Sequence, residues 1–501
     1  MDGTTGSVWT QLAGCTFTWS AILACSFLSW ILMDYFYDDK RNLPPGPRGL
    51  PLVGYLPFLR QEHHVTYRDL SNTYGPIICV KLGPRRVVVL NDLETIKEGL
   101  NKKAVLYRPD FFFLARLGIH GIVSLNGDAW SDNRRFCLHV LRDLGFGKSS
   151  MEQRIREECL YLSNVLASLE GKPIDVGDYL APSVSNNIAS LVMGKRFNLD
   201  HPRRRFLDRC LSTILKHANF FSVVDLFHLL GAAVRAVSYF GAGKVRRTAD
   251  DLKRYFGQVI EENKETMTED EDRHFIDGYL KKIAAQNEQG TTYNTQYLVG
   301  NMINFFGAGT NTVRTAILWN LLNCARCPEE IQEKIREEID EVVGSERLPS
   351  WEDRLKMPFT VAVLLEMHRW RTIAPLSVVR GVADDTEVSG YTIPAGTVIL
   401  ANLWAVHMNP DVWKNPEEFN PYRHLNGSTL LPKQEHIIPF STGKRACPGE
   451  TFATMEVFLY LTTLLQKFTV LPADGCEVSM ETCTNLVSVP AFKQKLRFLP
   501  R

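Results

Sequence analysis

Cys447 has the strongest case for chemistry in this sequence, because of the residues around it. It lies in the segment Phe440-Ser-Thr-Gly-Lys-Arg-Ala-Cys-Pro-Gly449. Gly443 and Gly449 permit tight turns that bring backbone N–H groups close to the sulfur, and such donors, together with a metal, hold a cysteine as its thiolate. Arg445 offers a cation to an anionic group of a bound cofactor, and Phe440 can shield the sulfur from water. A buried, inert thiol is the alternative, but the spacing favours a metal-bound thiolate.

A second segment with chemical potential is Met302–Asn320, which has the pattern of a long helix and contains Gly307-Ala-Gly-Thr-Asn-Thr312. A glycine inside a helix costs about 1 kcal/mol relative to alanine, so two of them need a reason. Absent side chains would leave room beside a flat cofactor. Close packing against a neighbouring helix would use the same small residues, so this pattern alone leaves both explanations open.

The cysteine segment resembles the haem-binding signature of the cytochrome P450 superfamily, in which Cys447 matches the axial thiolate. The resemblance covers essentially the whole chain, because other motifs of that family occur in the family's order. They are Trp130-Ser-Asp-Asn-Arg134, Glu366-Met-His-Arg369, Arg380 and Phe419-Asn-Pro-Tyr-Arg423. A proline-rich hinge and an apolar N-terminal segment resemble the microsomal animal members that metabolise drugs and steroids.

The resemblance implies a haem b cofactor (iron protoporphyrin IX), with Cys447 as the metal ligand. Trp130 and Arg134, at i and i+4, would lie on one helix face toward a haem propionate, and Arg380 matches a further propionate partner. The expected cofactor-binding residues are Trp130, Arg134, Ala308, Arg380, Phe440, Arg445, Cys447 and Gly449.

Glu366 and Arg369 form a pair that the sequence places on one side of a helix. At i and i+3 the two side chains can bond to each other. The resemblance implies that Arg423 completes a buried network with them. An exposed ion pair, worth about 0.3 kcal/mol, is the alternative.

The resemblance also implies two catalytic residues, Thr312 and Asn311. Thr312 matches the hydroxyl that hydrogen-bonds the bound oxygen molecule. The family usually has Asp or Glu directly before this threonine, whereas this chain has Asn311, and Val313 stands where a second hydroxyl is frequent. An amide can orient water but cannot exchange a proton as an acid or base. We therefore expect proton delivery to depend on water held by Thr312 and Asn311.

The pattern of the rest of the chain predicts a mainly α fold with minor β structure. We expect a single large α-rich haem-thiolate domain at residues 50–501 with small β-sheets. Two β-hairpins are predicted, each around a short turn. Ile77–Leu82 and Arg86–Leu90 flank the first turn, and Tyr391–Ile393 and Thr397–Ala401 flank the second.

The N-terminal residues 1–33 predict a transmembrane helix that anchors the chain. No charged residue occurs from Val8 to Met33, and about 20 apolar helical residues span a bilayer. The early Asp2, with no Lys or Arg before the span, argues against a cleavable signal peptide. The first cations follow the span, which predicts that the bulk of the chain lies on the cytosolic side. The resemblance to the microsomal members implies that the membrane is that of the endoplasmic reticulum.

Two further segments bear on membrane contact. Residues 34–49 form a charged and proline-rich hinge, and the prolines of Pro44-Pro-Gly-Pro47 predict a semi-rigid extended spacer. The apolar segment Asn219–Val237 predicts either core packing or a lobe that dips into the same membrane.

The composition excludes several classes of function. The 501 residues include 57 Lys and Arg against 56 Asp and Glu, and a net charge of +1 is too neutral for a protein that grips a nucleic acid backbone. Hydrophobic residues at 45% and charged residues at 23% are typical of a globular chain and exclude wholesale disorder. Eleven cysteines are too few for a disulfide scaffold.

The resemblance implies a monooxygenase that inserts one atom of O2 into a lipophilic substrate such as a steroid, a fatty acid or a xenobiotic. Electrons would come from NADPH through a membrane-bound NADPH–cytochrome P450 reductase, with cytochrome b5 as an accessory partner. Two other functions stay open. One is a haem-thiolate isomerase or dehydratase that acts on a peroxide without a reductase, and the other is a non-enzymatic haem-based ligand binder.

Family position also suggests which side chains face the substrate and the reductase. Arg135, Arg142 and Lys444 could form a basic patch for an acidic reductase, although solvated surface charge is the alternative for each. The substrate-facing candidates are apolar or aromatic, as a lipophilic substrate requires, with plain core packing as the alternative for each. They are the loop Asp110–His120 with Phe111, Phe112 and Phe113, then Phe305, Phe306, Ile373, Ala374, Leu376, Val378, Leu486 and Val487.

Overall fold

The computed structural model describes residues 41–144, 149–198, 201–216, 231–268, 272–286, 292–432, 434–484 and 486–501, together with residues 22, 25, 26 and 29. Apart from those four residues, the predicted anchor lies outside the described residues, and so does most of the segment Asn219–Val237. Within the described ranges, none of the helices combines the length and apolar character that crossing a bilayer requires.

The described chain is mainly helical. Short 3₁₀ turns occur at Leu56–Phe58, Lys103–Leu106, Trp351–Lys356 and Pro421–His424, and a π-helical turn at Pro328–Gln332. The α-helices are α1 (His63–Tyr74), α2 (Leu93–Asn101), α3 (Phe113–Arg116), α4 (Gly127–Asp143), α5 (Ser149–Ala167), α6 (Gly177–Met193), α7 (Pro202–Lys216), α8 (Gly231–Lys264), α9 (Phe275–Ala284), α10 (Thr295–Arg326), α11 (Glu333–Val342), α12 (Pro358–Trp370), α13 (Leu403–His407) and α14 (Glu450–Lys467).

The strands form one four-stranded sheet and several two-stranded ones. The strands are β1 (Ile77–Leu82), β2 (Arg85–Leu90), β3 (Arg380–Gly381), β4 (Thr386–Val388), β5 (Tyr391–Ile393), β6 (Val398–Ala401), β7 (Leu425–Asn426), β8 (Thr429–Leu430), β9 (Phe468–Pro472), β10 (Thr482–Thr484), β11 (Ser488–Pro490) and β12 (Leu496–Pro500). The larger sheet has the order β1-β2-β6-β3, and the pairs are β4-β5, β7-β8, β9-β12 and β10-β11.

One of the two predicted hairpins is confirmed and the other is wrong. β1 and β2 pair antiparallel across the turn at Gly83, whose φ of +59° suits a residue without a side chain. β5 and β6 do not pair with each other. β5 pairs with β4, whereas β6 runs parallel to β2 and antiparallel to β3. The turn between β5 and β6 therefore passes the chain from one sheet to another, and partners distant in sequence decided the pairing.

The proline-rich segment forms no helix or strand at residues 42–49, and it lies against the body of the protein. The Cys79 backbone N–H of β1 donates to the Pro45 carbonyl over 2.8 Å. A Cβ atom added at Gly46 would lie 1.8 Å from the Cys79 carbonyl oxygen, so only glycine permits this approach. The end of the predicted hinge is thus tied to the four-stranded sheet.

Helix α10 lies at the centre of the helical core and positions much of the candidate site. Its first turn is capped by Asn294, whose side chain accepts a hydrogen bond from the Tyr297 N–H. It packs against α6, α8 and α14, and most of its side chains are buried. The long helix that the sequence predicted at Met302–Asn320 is therefore confirmed, with additional turns at both ends.

Two buried asparagines of α10 hold the loop that precedes α4. The Asn301 side-chain oxygen accepts from the Ile122 N–H over 2.8 Å, and the Asn304 side-chain oxygen accepts from the Val123 N–H over 3.0 Å. Gly300 lets the two backbones approach, because a Cβ atom there would lie 2.0 Å from the His120 carbonyl oxygen. The carbonyl groups of this loop point to the candidate site.

Candidate active site

Cys447 lies in a tight loop that ends at the first turn of α14. The loop closes through the Cys447 N–H, which donates to the Phe440 carbonyl over 2.9 Å. Gly443 adopts a φ of +78°, and a Cβ atom there would lie 2.7 Å from the Leu100 carbonyl oxygen, so both its conformation and its contact with α2 require glycine. The Phe440 ring packs edge-on against His368, with ring centroids 5.6 Å apart.

The groups around the Cys447 sulfur shift the pKa of its thiol in opposite directions. Burial raises the pKa of the thiol, while a hydrogen bond from the Gly449 N–H and the charge of Arg134 lower it. The position just before α14 also favours negative charge, since a helix N-terminus carries partial positive charge. The side chain is nevertheless accessible on one side. The protein alone therefore favours the neutral thiol, and a metal ion on the accessible side would be needed to hold the thiolate.

Three predicted arginines and Trp130 lie together beside this loop. Arg134 of α4 donates to the Ala446 carbonyl over 2.6 Å, and Arg380 of β3 donates to the Arg445 carbonyl over 3.2 Å. The guanidinium carbon of Arg445 lies 4.1 Å from the centroid of the Trp130 ring. The structure thus brings together residues that the sequence separates by more than 300 positions.

Arg380 and Arg445 are buried and Arg134 is half-buried, and in the described part of the chain none of the three has an anionic partner. Burial, and then the positive charges of Arg380 and Arg134, lower the pKa of Arg445 to about 9. Burial and Arg134 lower the pKa of Arg380 to about 10. Among the described residues, no carboxylate comes within ion-pair distance of any of the three. Buried cations without partners are costly, so this cluster favours an anionic ligand.

Unpaired donors show where such an anion would bind. Trp130 Nε1, Arg380 Nε and Nη1, and Arg445 Nε are buried and have no hydrogen-bond partner in the described part of the chain. Nearly all buried donors in proteins are paired, so four together indicate a ligand with several acceptor oxygens. The two propionates of haem b supply such acceptors, and the accessible Cys447 sulfur supplies an iron ligand. The residues present therefore fit this cofactor.

Arg108 belongs to the same cluster and was missed by the sequence analysis. Burial and the neighbouring Arg380, Arg445 and Arg134 lower its pKa well below the ordinary arginine value. It donates to the Val123 carbonyl over 2.9 Å and to the Val378 carbonyl over 2.9 Å. It stands outside any spaced motif, so the sequence carried no signal for it beyond its position next to a proline.

The small residues of α10 could leave room beside a cofactor or allow close packing against another helix, and the structure distinguishes these explanations. Ala308 is exposed although most of the surrounding helix is buried. A Cβ atom at Gly309 would lie 2.7 Å from Ile188 of α6, so this glycine serves helix packing. A Cβ atom at Gly307 would meet only Leu211, at an ordinary distance of 3.8 Å. The groove at Gly307 and Ala308 is thus open space rather than a packing requirement.

Thr312 and Asn311 lie at the end of this groove but on different sides of the helix. The Thr312 hydroxyl donates to the Ala308 carbonyl over 2.6 Å, which leaves its oxygen lone pairs free to accept from water. Asn311 instead lines a cavity between α10 and the C-terminal strands. The structure therefore places the two predicted catalytic side chains in adjoining but separate spaces.

Glu366 and Arg369 are fully buried, and Glu366 is the centre of an ion network that also includes His424 and the partly buried Arg423. Arg369 bonds it through two nitrogens at 2.8 Å each, and Arg423 bonds it at 3.0 Å. His424, which the sequence analysis missed although it follows Arg423 directly, bonds it at 2.9 Å. Burial opposes ionisation, but the bonds from Arg369 and His424 outweigh it and lower the pKa of Glu366 to about 2. The predicted buried network is confirmed, and the exposed pair is excluded.

The substrate-facing candidates divide by burial. Phe112, Phe113 and Phe306 are fully packed in the core, and Phe111 lies under the Arg85 guanidinium at 3.9 Å. The half-buried ones are Phe305, Ile373, Ala374, Leu376, Val378, Leu486 and Val487. Of these, Leu486 and Val487 border the same cavity as Asn311.

The accessible sulfur of the Cys447 loop and the adjacent buried donors of Trp130, Arg380 and Arg445, which lack partners in the described part of the chain, fit a haem-thiolate protein. Comparison with known proteins agrees. A family model described as Cytochrome P450 matches residues 44–498, and the chain belongs to this family. It is an oxidoreductase of the monooxygenase type, and the family implies haem as its cofactor.

Individual relatives cover nearly the whole chain. The chain is 38% identical to cytochrome P450 2F5 of Gorilla gorilla gorilla over 449 residues, which covers 87% of this chain and 89% of that protein. It is 33% identical to cytochrome P450 2J3 of Rattus norvegicus over 510 residues, covering 99% and 98%. Cytochrome P450 18a1 of Drosophila melanogaster is 32% identical over 462 residues, covering 90% and 85%.

Proposed function

We propose that this protein inserts one oxygen atom of O2 into a lipophilic organic substrate, with electrons from NADPH delivered by a separate membrane-bound reductase. The observation that carries the proposal is the pairing of an accessible Cys447 sulfur with a cluster of buried, unpaired arginine and tryptophan donors beside it. We further propose that Cys447 ligates the iron and that Trp130, Arg134, Arg380 and Arg445 hold the propionates.

Each of these residues contributes a separate physical effect. When bound, thiolate-ligated haem supplies oxygen activation and favours O–O cleavage. The Gly449 N–H and the Arg134 charge stabilise negative charge on the Cys447 sulfur. Arg380 and Arg445 would neutralise the carboxylates of the haem propionates, which would otherwise be buried without partners. Phe440 and His368 pack at the loop and limit the access of water to the sulfur.

Proton supply would rest on water rather than on an acidic side chain. The Thr312 hydroxyl donates to the Ala308 carbonyl, so its oxygen can accept a hydrogen bond from a water molecule in the groove. Asn311 can orient water but does not titrate. The open space at Gly307, where a Cβ atom would meet only Leu211, would leave room for this water.

We propose a reductase-binding surface around Arg135, Arg142 and Lys444, all of which are exposed. Arg135 and Arg142 lie on α4, which the bond from Arg134 to Ala446 ties to the loop that carries Lys444. The three cations therefore lie on the Cys447 side of the protein, where an acidic reductase could dock. Cytochrome b5 is proposed to use the same surface.

The membrane arrangement is also part of the proposal. We propose that residues 1–33 anchor the chain in the endoplasmic reticulum membrane, that residues 34–49 link the anchor to the domain at 50–501, and that the domain lies on the cytosolic side. The absence of charge from Val8 to Met33 supports the anchor. The contact of Pro45 with β1 would hold the domain close to the membrane.

Reconstitution of the purified protein tests the proposed function. We expect oxidised product from a lipophilic substrate only when reductase, NADPH and O2 are all present, and a red-shifted ferrous–CO absorption band that indicates thiolate ligation. Asn311, which departs from the usual acidic residue, favours one alternative, an isomerase or dehydratase acting on a peroxide. Product formed from an organic hydroperoxide without reductase, and none with NADPH, would establish that alternative instead.

Removal of the Thr312 hydroxyl should uncouple electron use from product formation. In Thr312→Ala, the water held at the groove loses its partner, so we expect product per NADPH to fall about 10-fold and hydrogen peroxide release to rise. Both are measured in the reconstituted system. Thr248→Ala removes the same kind of bond to the carbonyl four residues earlier, on a different helix, α8, and should leave coupling unchanged. Unchanged coupling in Thr312→Ala would refute this role.

A further inference from the structure

A cavity of about 300 Å³ lies beside the groove of α10, and the function proposed above assigns it no ligand. It is bounded by Asn311, Arg314 and Leu318 of α10 on one side and by the C-terminal segment around Leu486 and Val487 on the other. Asn311 is one residue from Thr312, so the cavity lies about 100° around the helix from the groove. Its size is at the lower end of the range for ligand sites, which is about 300 to 1,000 Å³.

Arg314 places a positive charge in this cavity without a paired anion. Its Nε donates to the Gly177 carbonyl over 2.9 Å, which orients the guanidinium. A Cβ atom at Gly177 would lie 2.4 Å from Arg314 Nη2, so the glycine at this position makes room for the guanidinium. In the part of the chain that the structure describes, no carboxylate lies within ion-pair distance of Arg314, and its two terminal nitrogens have no hydrogen-bond partner.

The nearest acidic side chains are already engaged by other groups. Asp175, which also borders the cavity, pairs with Lys493 at 2.8 Å and accepts from the Gly177 N–H over 3.0 Å. Asp208 lies 3.5 Å from Arg204. Burial raises the pKa of Asp208, and Arg204 and then Arg314 act against that rise. Arg314 is therefore left as the cation in this cavity that is free to bind an anion.

The helix itself offers Arg314 no partner either. Side chains three and four residues apart are neighbours on a helix surface. Those positions around Arg314 are Thr310, Asn311, Ile317 and Leu318, and none is acidic. A carboxylate at 311 would stand at i,i+3 and could neutralise the arginine. The amide at Asn311 therefore keeps the guanidinium available.

The remaining walls suit a hydrocarbon chain. Leu318, Leu322, Leu486 and Val487 line the cavity beyond the arginine, and Lys493, whose side chain is 75% exposed, marks its opening to solvent. We propose that this cavity binds the carboxylate end of an amphipathic organic acid, with the carboxylate on Arg314 and the chain against the leucines. As a statement about substrate class, the proposal rests on the monooxygenase function proposed above.

Equilibrium binding to the resting haem-loaded protein tests the site without turnover. Dodecanoate and dodecan-1-ol, which differ only in the head group, are titrated by isothermal calorimetry. We expect the wild-type protein to bind the acid about 10-fold or more tightly than the alcohol, because a charge-assisted hydrogen bond distinguishes them. The preference should weaken at high salt, since the site opens to solvent. A failure of monooxygenase activity would leave these titrations unaffected.

Substitutions in the cavity test whether Arg314 is responsible for the tighter binding of the acid. Arg314→Gln should reduce the affinity for the acid to that for the alcohol, while Arg314→Lys keeps part of the preference. Asn311→Asp should weaken acid binding by pairing with Arg314. Arg326→Gln removes an exposed arginine at the end of the same helix and serves as the matched control.

Three outcomes would overturn the proposal. They are equal affinities for acid and alcohol in the wild-type protein, no binding of the acid, and a preference that survives Arg314→Gln. If Arg314→Gln did not fold, the salt dependence in the wild-type protein and the effect of Asn311→Asp would still decide between support and refutation.

Discussion

Cys447→Ser is expected to abolish monooxygenase activity and to remove the red-shifted ferrous–CO band. A serine hydroxyl does not ionise in this loop, because burial already raises the pKa of the more acidic thiol and a hydroxyl resists ionisation further. The strong electron donation that favours O–O cleavage is then lost. We expect product formation to fall at least about 1,000-fold, which corresponds to about 4 kcal/mol in the activation free energy. Product formation and the CO difference spectrum measure the two effects.

The control for this variant is another accessible cysteine. Cys476 is exposed and lies outside the loop, so Cys476→Ser should keep both the band and the activity. Haem content is measured for both variants, because the arginine cluster is unchanged and should still hold a cofactor. If Cys447→Ser kept the band of thiolate-ligated haem, another cysteine would have to be the ligand and the proposed site would be wrong.

Glu366→Gln is expected to lower the free energy of unfolding by about 3 to 5 kcal/mol, because it leaves Arg369 as an uncompensated buried charge. That is a large part of the 5 to 15 kcal/mol that typically separates folded from unfolded protein. Arg423 and His424 lose a partner in the same change. Urea unfolding followed by circular dichroism measures the loss, and we expect a correspondingly low yield of haem-containing protein.

The pair Glu333 and Arg336, in which the carboxylate is half exposed, provides a matched control. It has the same i,i+3 spacing and the same 2.8 Å contact as Glu366 and Arg369. Half of the Glu333 side chain is exposed, so Glu333→Gln should cost less than about 1 kcal/mol. Equal losses in the two variants would show that burial of the Glu366 network does not govern its contribution.

Acid provides a second readout of the Glu366 network. Its pKa falls from 4.5 to about 2 on folding, so the carboxylate stabilises the native state fully above pH 4.5. That contribution, about 3 kcal/mol for a shift of this size, is lost as the pH falls from 4.5 toward 2. Glu366→Gln has no group to titrate, so its unfolding free energy should lack this part of the acid dependence.

Local patterns predicted much of the fold. The helix α10 and the β1–β2 hairpin were both foreseen, because periodicity and a turn residue are properties of neighbouring residues. The pairing of β6 failed because its partner β2 lies more than 300 residues earlier in the chain. The local sequence indicates that a segment tends to form a strand, whereas the strand with which it pairs depends on packing across the whole domain.

The sequence predicted candidate residues of the site but not the contacts that those residues make. Spaced motifs brought out Cys447, Trp130 and the Glu366–Arg369 pair. Arg108 was missed because it bonds to backbone carbonyls of Val123 and Val378. Every residue carries the same carbonyl, so such partners leave no mark on the sequence. The separation of Asn311 from Thr312 likewise depends on which elements pack against α10.

The loop before α4 links the two halves of the site thermodynamically. Its N–H groups at Ile122 and Val123 bond to α10, while the carbonyls of Val123 and Leu125 accept from Arg108 and Arg445. A ligand that favours one position of this loop would change the free energy of holding an anion at the arginines. By linkage, the anion would change the affinity for that ligand by the same factor. Binding of a substrate and binding of the cofactor would then each change the affinity for the other by the same factor.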